Sequence, residues 1–263
     1  MLLLKIGGGA DINIPAIADD LKTLSQPTII VHGANALRNQ IARRMDIPIQ
    51  EVTSLSGYSS VFSDQELVDL MMMTYAGLAN KSIVQALQQR GIPAIGLSGL
   101  DAGLIRGKRN PGIRTMEAGK KVLKRDLSGK PTSVNTKFLL KLIQDGYLPV
   151  LTVPILDEQG VAVNAENDEI VALLHQELGV EHVVQLIEAP GLLAEKENAD
   201  SLISNLSVSE LRDWEGRCEG RMRRKLLALG KLMRHHAAKV YIADGRRSKP
   251  ITLALQGAGT VIQ

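Results

Sequence analysis

Seven short, continuously apolar runs punctuate this chain: "MLLLKI" (1–6), "PTIIVHG" (27–33), "IPAIGLSG" (92–99), "YLPVLTVP" (147–154), "HVVQLI" (182–187), "KVYIADG" (239–245) and "GTVIQ" (259–263). None alternates apolar with polar residues, so each reads as a strand covered on both faces. Between them lie segments of helical periodicity: "SDQELVDLMMMTYAGLANKSIVQALQQRG" (63–91), "SVNTKFLLKLIQDG" (133–146), "NDEIVALLHQELG" (167–179) and "RMRRKLLALGKLMRHH" (221–236). Strand alternating with helix builds a parallel sheet, because each crossover helix packs back onto the sheet it left. The expected fold is α/β: an open, mostly parallel sheet sandwiched by helices (αβα). The longest helical segment opens at Ser63, carries Glu66 at capping-box spacing and closes at Gly91.

Bulk properties narrow the function. The 263 residues suffice for one large domain or two fused lobes. A net charge of +3 does not argue for nucleic acid, and 3% aromatics provide little for base stacking. A single cysteine, Cys218, excludes an internal disulfide framework and a multi-cysteine zinc site. No stretch has the roughly 18 apolar residues of a membrane span, so a soluble, cytoplasmic protein is expected.

Glycines recur where the strands end: "KIGGGAD" (5–11), "VHGAN" (31–35) and "GLSGLDAG" (96–103). Such turns let backbone N–H groups approach an anion at the sheet edge where open α/β folds bind ligands. "KIGGGAD" fits neither phosphate-loop signature. Lys5 precedes the glycines rather than following them, and the GxGxxG spacing is absent. In the second half, Asn164, Glu166 and Asp168 open one helix, where carboxylates commonly act as caps. Arg221, Arg223, Arg224 and Lys225 open another, against the helix dipole, which invites a nearby anion. His235 and His236 close that helix and are read as capping it.

Taken in order, "LLLKIGGG", "VHGAN", "GLSGLDAGLI", "DGYLPVLTVP", "VNAENDEIVALL", "APGLLAEK", "GRMRRKLLALG" and "IADGR" resemble the amino acid kinase superfamily across nearly the whole chain. The resemblance is to the acetylglutamate kinase branch, and within it to kinases of carrier-linked aminoadipate or glutamate in lysine and arginine biosynthesis. It implies transfer of the ATP γ-phosphoryl to a side-chain carboxylate, with magnesium held by the ATP phosphates and by no protein metal site. It also implies two lobes on one continuous sheet: residues 1–157 for the acid, with a basic hairpin at about 104–126, and residues 158–263 for ATP. Lys5 and Lys225 match the lysines that flank the moving phosphoryl, and Asp168 matches the carboxylate that holds both. Gly8, Gly9, Gly33, Ala34, Val61 and Asn164 fall at substrate-binding positions. Gly7, Gly191, Leu192, Arg221, Asp244 and Arg246 fall at nucleotide-binding positions.

Three residues depart from the family pattern. Ala34 stands where a second glycine is usual, Glu166 where Asp or Asn is usual, and Val61 where an arginine would clamp the substrate α-carboxylate. Arg38 or Arg43 is the candidate replacement for that clamp. The altered acid pocket leaves N-acetylglutamate kinase as the main alternative, and a weakly catalytic or regulatory ATP- or amino-acid-binding homologue as one of another class. The cations Arg106, Lys108, Arg109, Arg114, Lys120, Lys121, Lys124 and Arg125 suggest a rim that docks a small acidic amino-group carrier protein. Homodimerisation through the long helix bearing Met71–Met73 is implied by the resemblance; nucleic-acid and membrane partners are not expected.

Overall fold

The computed structural model describes residues 1–55, 57, 59–195, 198–217, 220–233 and 238–263; for residues 212, 217 and 220–225 it describes the backbone alone. In chain order the elements begin β1 (Leu2–Ile6), α1 (Ile14–Thr23), β2 (Thr28–His32), α2 (Asn35–Arg44), β3 (Glu51–Thr53), β4 (Ser59–Val61) and α3 (Gln65–Met71). A π-helical stretch, Met72–Ala79, continues α3 into α4 (Asn80–Gln88). β5 (Ala94–Ser98), β6 (Ile105–Arg109), β7 (Ile113–Glu117), β8 (Lys120–Lys124), β9 (Gly129–Val134), α5 (Thr136–Gln144), β10 (Leu148–Thr152), β11 (Ile155–Leu156) and β12 (Ala162–Val163) follow. The chain ends with α6 (Asn167–Leu178), β13 (His182–Ile187), β14 (Asn205–Leu206), α7 (Leu211–Arg217), α8 (Gly220–Leu232), β15 (Lys239–Asp244), α9 (Pro250–Leu255) and β16 (Thr260–Ile262).

Eight strands form the central sheet in the order β14-β16-β15-β13-β1-β2-β10-β5. All seven apolar runs become strands of it; only the two-residue β14 lacks a sequence signal. The sheet is parallel except where β16 runs against β15. Alternate residues of each strand feed separate cores. Leu3, Ile29, Val31, Leu151 and Val183 pack on one face, and Leu2, Leu4, Ile6, Ile30, Val150 and Val184 on the other. Both faces are covered, which is why the strands are apolar throughout. The expected α/β sandwich is the fold observed.

Local details differ from expectation. Asp64, rather than Ser63, caps the long helix, its carboxylate accepting from Leu67 N at 2.9 Å. Ser63 instead donates its backbone N–H to Asp126 at 3.2 Å and accepts from Asn164 Nδ2 at 2.9 Å. The stretch 104–126 is not one hairpin. β6 pairs antiparallel with β9 in a second, four-stranded sheet ordered β12-β11-β6-β9, and only β7–β8 forms a local hairpin. The break falls at Asn110-Pro111-Gly112, where proline lacks a donor and Gly112 sits at φ 136°. The helix expected from residue 133 begins later, because β9 runs to Val134 and Asn135 caps α5 at Phe138 N.

Candidate active site

β1 and β2 are neighbours in the sheet, and both end in glycine at the carboxyl edge. The two loops lie against each other: Gly33 N donates to Ile6 O at 3.0 Å, and Ala36 N donates to Gly8 O at 2.8 Å. A methyl on Gly8 would meet the backbone nitrogens of Ala34 and Asn35 at 2.6 Å, so only glycine fits that crossing. A methyl on Gly9 would land on the Glu188 carboxyl, whose Oε1 accepts from Asp11 N at 2.6 Å. Ala34 is buried at the N-cap of α2, and its φ of −151° requires no glycine.

His32, fully buried, stands behind this crossing. Asn80 Nδ2 lies 3.1 Å from His32 Nε2 and 3.0 Å from Val150 O; an amide nitrogen only donates, so Nε2 accepts. Nδ1 therefore carries the proton and donates to Gly33 O at 3.2 Å. Burial pushes the imidazole pKa down to about 4; the bond to Gly33 opposes this, and the charge of Lys81 adds to it. A buried, neutral ring thus fixes the carbonyl of the glycine that faces the cleft.

Lys5 shares its sheet face with Leu3, one step before the strand ends. The face is roofed by α6, and the first turn of α6 brings Asp168 over Lys5. The Nζ–Oδ1 distance is 2.9 Å, with the side chains 10% and 21% exposed. Asp168 stands where a helix N-terminus favours negative charge. Together they line a cleft of about 470 Å³ that also presents Gly8, Gly33, Asn35, Arg38, Val61, Tyr75 and Asn164. Tyr75 donates a short hydrogen bond to Asn35 Oδ1 across this cleft. A lysine with its counter-carboxylate, beside closely packed glycine backbone, is suited to stabilising a moving anion.

A second cavity of about 620 Å³ shares Ser60, Val61, Asn164, Ala165, Glu166 and Asp168 with the first. Its far wall is the base of the β7–β8 hairpin, with Gly112, Ile113 and Arg114. Lys130 of β9 and Leu227, Ala228 and Lys231 of α8 also line it. Lys231 Nζ meets Glu169 Oε1 at 2.6 Å and ties α8 to α6. On the hairpin itself, Arg114, Lys120, Lys121 and Arg125 are exposed, while Lys124 pairs with Glu117 and lies over the Phe62 ring.

Lys5, Gly8, Gly33, Val61, Asn164 and Asp168 therefore converge on one cleft. Gly7, Gly9, Ala34, Gly191, Leu192, Asp244 and Arg246 line neither cavity. Leu192 is a core side chain whose N–H donates to Thr260 Oγ1 at 2.8 Å. Asp244 and Arg246 pair through two bonds of 2.8 Å at the carboxyl end of β15, and the guanidinium holds the Asp244 carboxyl below its usual range. The side chains of Arg221 and Lys225, and Cys218, His235 and His236 entirely, lie outside the described residues; the backbone places 221 and 225 in the first turns of α8. Tyr75, Asn35, Glu51 and the His32–Asn80 pair were not found by sequence reasoning. His32 had a signal, its place directly before Gly33, but its partner Asn80 comes from another element.

A family model for the amino acid kinase family matches residues 1–244. The chain is 38% identical to a [LysW]-aminoadipate kinase of Thermus thermophilus, over all of both chains. It is 30% identical to an acetylglutamate kinase of Symbiobacterium thermophilum, over 99% of this chain and 90% of the relative. Among solved structures, an N-acetylglutamate synthase from Neisseria gonorrhoeae superposes with a TM-score of 0.79 at 18% identity, covering 99% of this chain and 58% of that one. The isopentenyl phosphate kinase of T. acidophilum superposes with a TM-score of 0.63 at 15% identity over all of both chains; these two likenesses concern the fold.

Proposed function

The chain belongs to the amino acid kinase family, and from that premise we propose that it phosphorylates the side-chain carboxylate of an amino-blocked acidic amino acid at the expense of ATP. The carrier-linked forms of 2-aminoadipate or glutamate are the proposed substrates. A carboxylate oxygen attacks the γ-phosphorus, and the bond from that phosphorus to the β,γ-bridging oxygen breaks. ADP leaves with the electron pair, and an acyl phosphate remains. The observation that carries the reading is Lys5 held 2.9 Å from Asp168 in a cleft floored by glycine backbone.

In-line phosphoryl transfer needs positioning and charge stabilisation more than covalent chemistry. Lys5 stabilises the transferring phosphoryl from the acid side, Asp168 orients Lys5, and Lys225 is assigned the matching role on the ATP side. The backbone of Gly8, with the adjoining Gly9, is proposed to complete the anion cradle, while the Gly33 N–H is spent on Ile6 O and holds the loop crossing in place; Asn164 holds the acid. Residues 1–157 form the acid lobe and 158–263 the nucleotide lobe, with Gly7, Gly191, Leu192, Arg221, Asp244 and Arg246 around ATP. Magnesium bound with ATP supplies charge neutralisation on the phosphate oxygens. No group of three or more His, Cys, Asp or Glu side chains suited to a metal occurs among the described residues.

The second cavity supports a bulky blocking group. Its roughly 620 Å³ adjoins the acid cleft and opens beside the cationic hairpin, where a small acidic carrier protein would dock. N-acetylglutamate, favoured by the 30% relative, would leave that space unused. An exposed strip with Met73 and Leu78 supports a homodimer through the long helix. No helix among the described residues is long and apolar enough to cross a membrane, and a cytoplasmic enzyme is the proposed setting. The test is ADP release with carrier-linked aminoadipate, carrier-linked glutamate and N-acetylglutamate. Highest kcat/KM with a carrier-linked acid is expected; preference for N-acetylglutamate overturns the carrier reading.

A further inference from the structure

Arg38 is a buried cation with no carboxylate beside it among the described residues. The residue, on α2, is 4% exposed and lines the 470 Å³ cleft. Among the described residues its guanidinium meets one acceptor, the neutral amide oxygen of Asn39, from Nε at 3.1 Å and Nη2 at 2.9 Å. No described carboxylate lies within ion-pair distance of it. The cleft's other cation, Lys5, is already matched by Asp168. Arginine does not discharge by losing its proton. An uncompensated buried charge is costly, and a charge that faces a cavity is met by an anion entering that cavity. Arg43, the other candidate on this helix, is exposed and lines neither cavity.

We propose that Arg38 clamps the α-carboxylate of the amino-blocked acid, an inference that rests on the function proposed above. A guanidinium presents a planar fork that takes both oxygens of a carboxylate. The cleft then sorts two carboxylates of one substrate: the α-carboxylate goes to Arg38 on α2, and the side-chain carboxylate goes to Lys5 on β1. Apolar Val61, on the same cleft, offers neither a competing charge. The arrangement makes the α-carboxylate a requirement for productive binding and keeps it away from the phosphoryl site.

The experiment compares the amino-blocked acid with the same compound lacking its α-carboxyl group, in the wild type, Arg38→Met and Arg38→Lys. In the wild type, kcat/KM falls about 100-fold for the decarboxylated analogue, the scale of charge-assisted hydrogen bonds. Arg38→Met brings that discrimination within about threefold, by raising the acid's KM, while the KM for ATP is unchanged. Arg38→Lys, which keeps the charge without the fork, retains about tenfold and serves if the Met variant does not fold. Unchanged discrimination in the variants overturns the clamp alone. Wild-type inactivity with every amino-blocked acid overturns the kinase reading and the clamp with it.

Discussion

Asp168→Asn is nearly isosteric and removes one charge from the pair with Lys5. The substitution places a neutral amide 2.9 Å from a lysine whose side chain is 10% exposed. Removing one partner of a buried pair costs about 3–5 kcal/mol. The Asp168 side chain is 21% exposed, so water compensates part of the loss and the lower end, about 3 kcal/mol, is expected. For a chain of this size that lowers Tm by about 6–10 °C. The kinetic loss has a separate origin: Lys5 is no longer held toward the phosphoryl, and losing one oriented stabiliser costs about 100- to 1,000-fold in kcat. A coupled ADP-release assay at saturating ATP and acid, with thermal unfolding measured in parallel, reads both effects. The KM for ATP should stay within about threefold. A variant with a lowered Tm but kcat within about fivefold of wild type would reduce the pair to a structural brace and refute its assigned role.

Other perturbations separate fixed backbone from adaptable side chains. Gly8→Ala presses a methyl onto two backbone nitrogens and should cost about 3 kcal/mol with most of the activity, whereas Gly9→Ala displaces only the Glu188 side chain and should cost about 1 kcal/mol; denaturant unfolding ranks them, and equal costs would contradict the distinction. Acidification acts through His32. Its folded pKa of about 4 lies below the unfolded 6.5, so between these values the unfolded chain binds the extra proton and stability falls as pH drops, by roughly 3 kcal/mol in all. Denaturation midpoints from pH 7 to 4 should show that slope, and His32→Asn should flatten it. Charge reversal at Lys120, Lys121 and Arg125, leaving the paired Lys124 intact, should raise the KM for carrier-linked acid several-fold, more so at low salt, with kcat unchanged. Asp20→Ala, which removes the carboxylate accepting from Ile251 N at 2.7 Å and Thr252 N at 2.9 Å, should cost about 2 kcal/mol of stability and leave kcat and KM untouched.

The central sheet was legible because its strands are buried on both faces, leaving apolar runs that helical segments lack. The short sheet around 105–134 was not legible, because Ile105–Arg109 pairs with Gly129–Val134 across an intervening hairpin, and register between distant strands leaves no local trace. The shift of the helix cap from Ser63 to Asp64 has the same origin: Ser63 is recruited by Asp126 and Asn164, both remote in sequence. Within the cleft, Lys5, Asp168, Gly8 and Gly33 were singled out from motif and order, whereas Gly7, Gly9 and Gly191 line neither cavity. Arg38 and Arg43 were indistinguishable in sequence, being five residues apart on one helix; only the packing of α2 turns the first into the cleft and the second to solvent. Tyr75 and Asn80 looked like ordinary members of a long helix, and the π-helical stretch just before Asn80 left no recognisable pattern in the sequence.

Acyl phosphate formation can be read directly by running the reaction with ATP and magnesium in the presence of hydroxylamine. Mass analysis then locates any hydroxamate. A carboxylate kinase with Lys5 at its centre predicts a hydroxamate on the side-chain carboxyl of a carrier-linked acidic amino acid, dependent on ATP and abolished by Lys5→Gln. ADP formation without hydroxamate, or trapping that survives loss of Lys5, would contradict it.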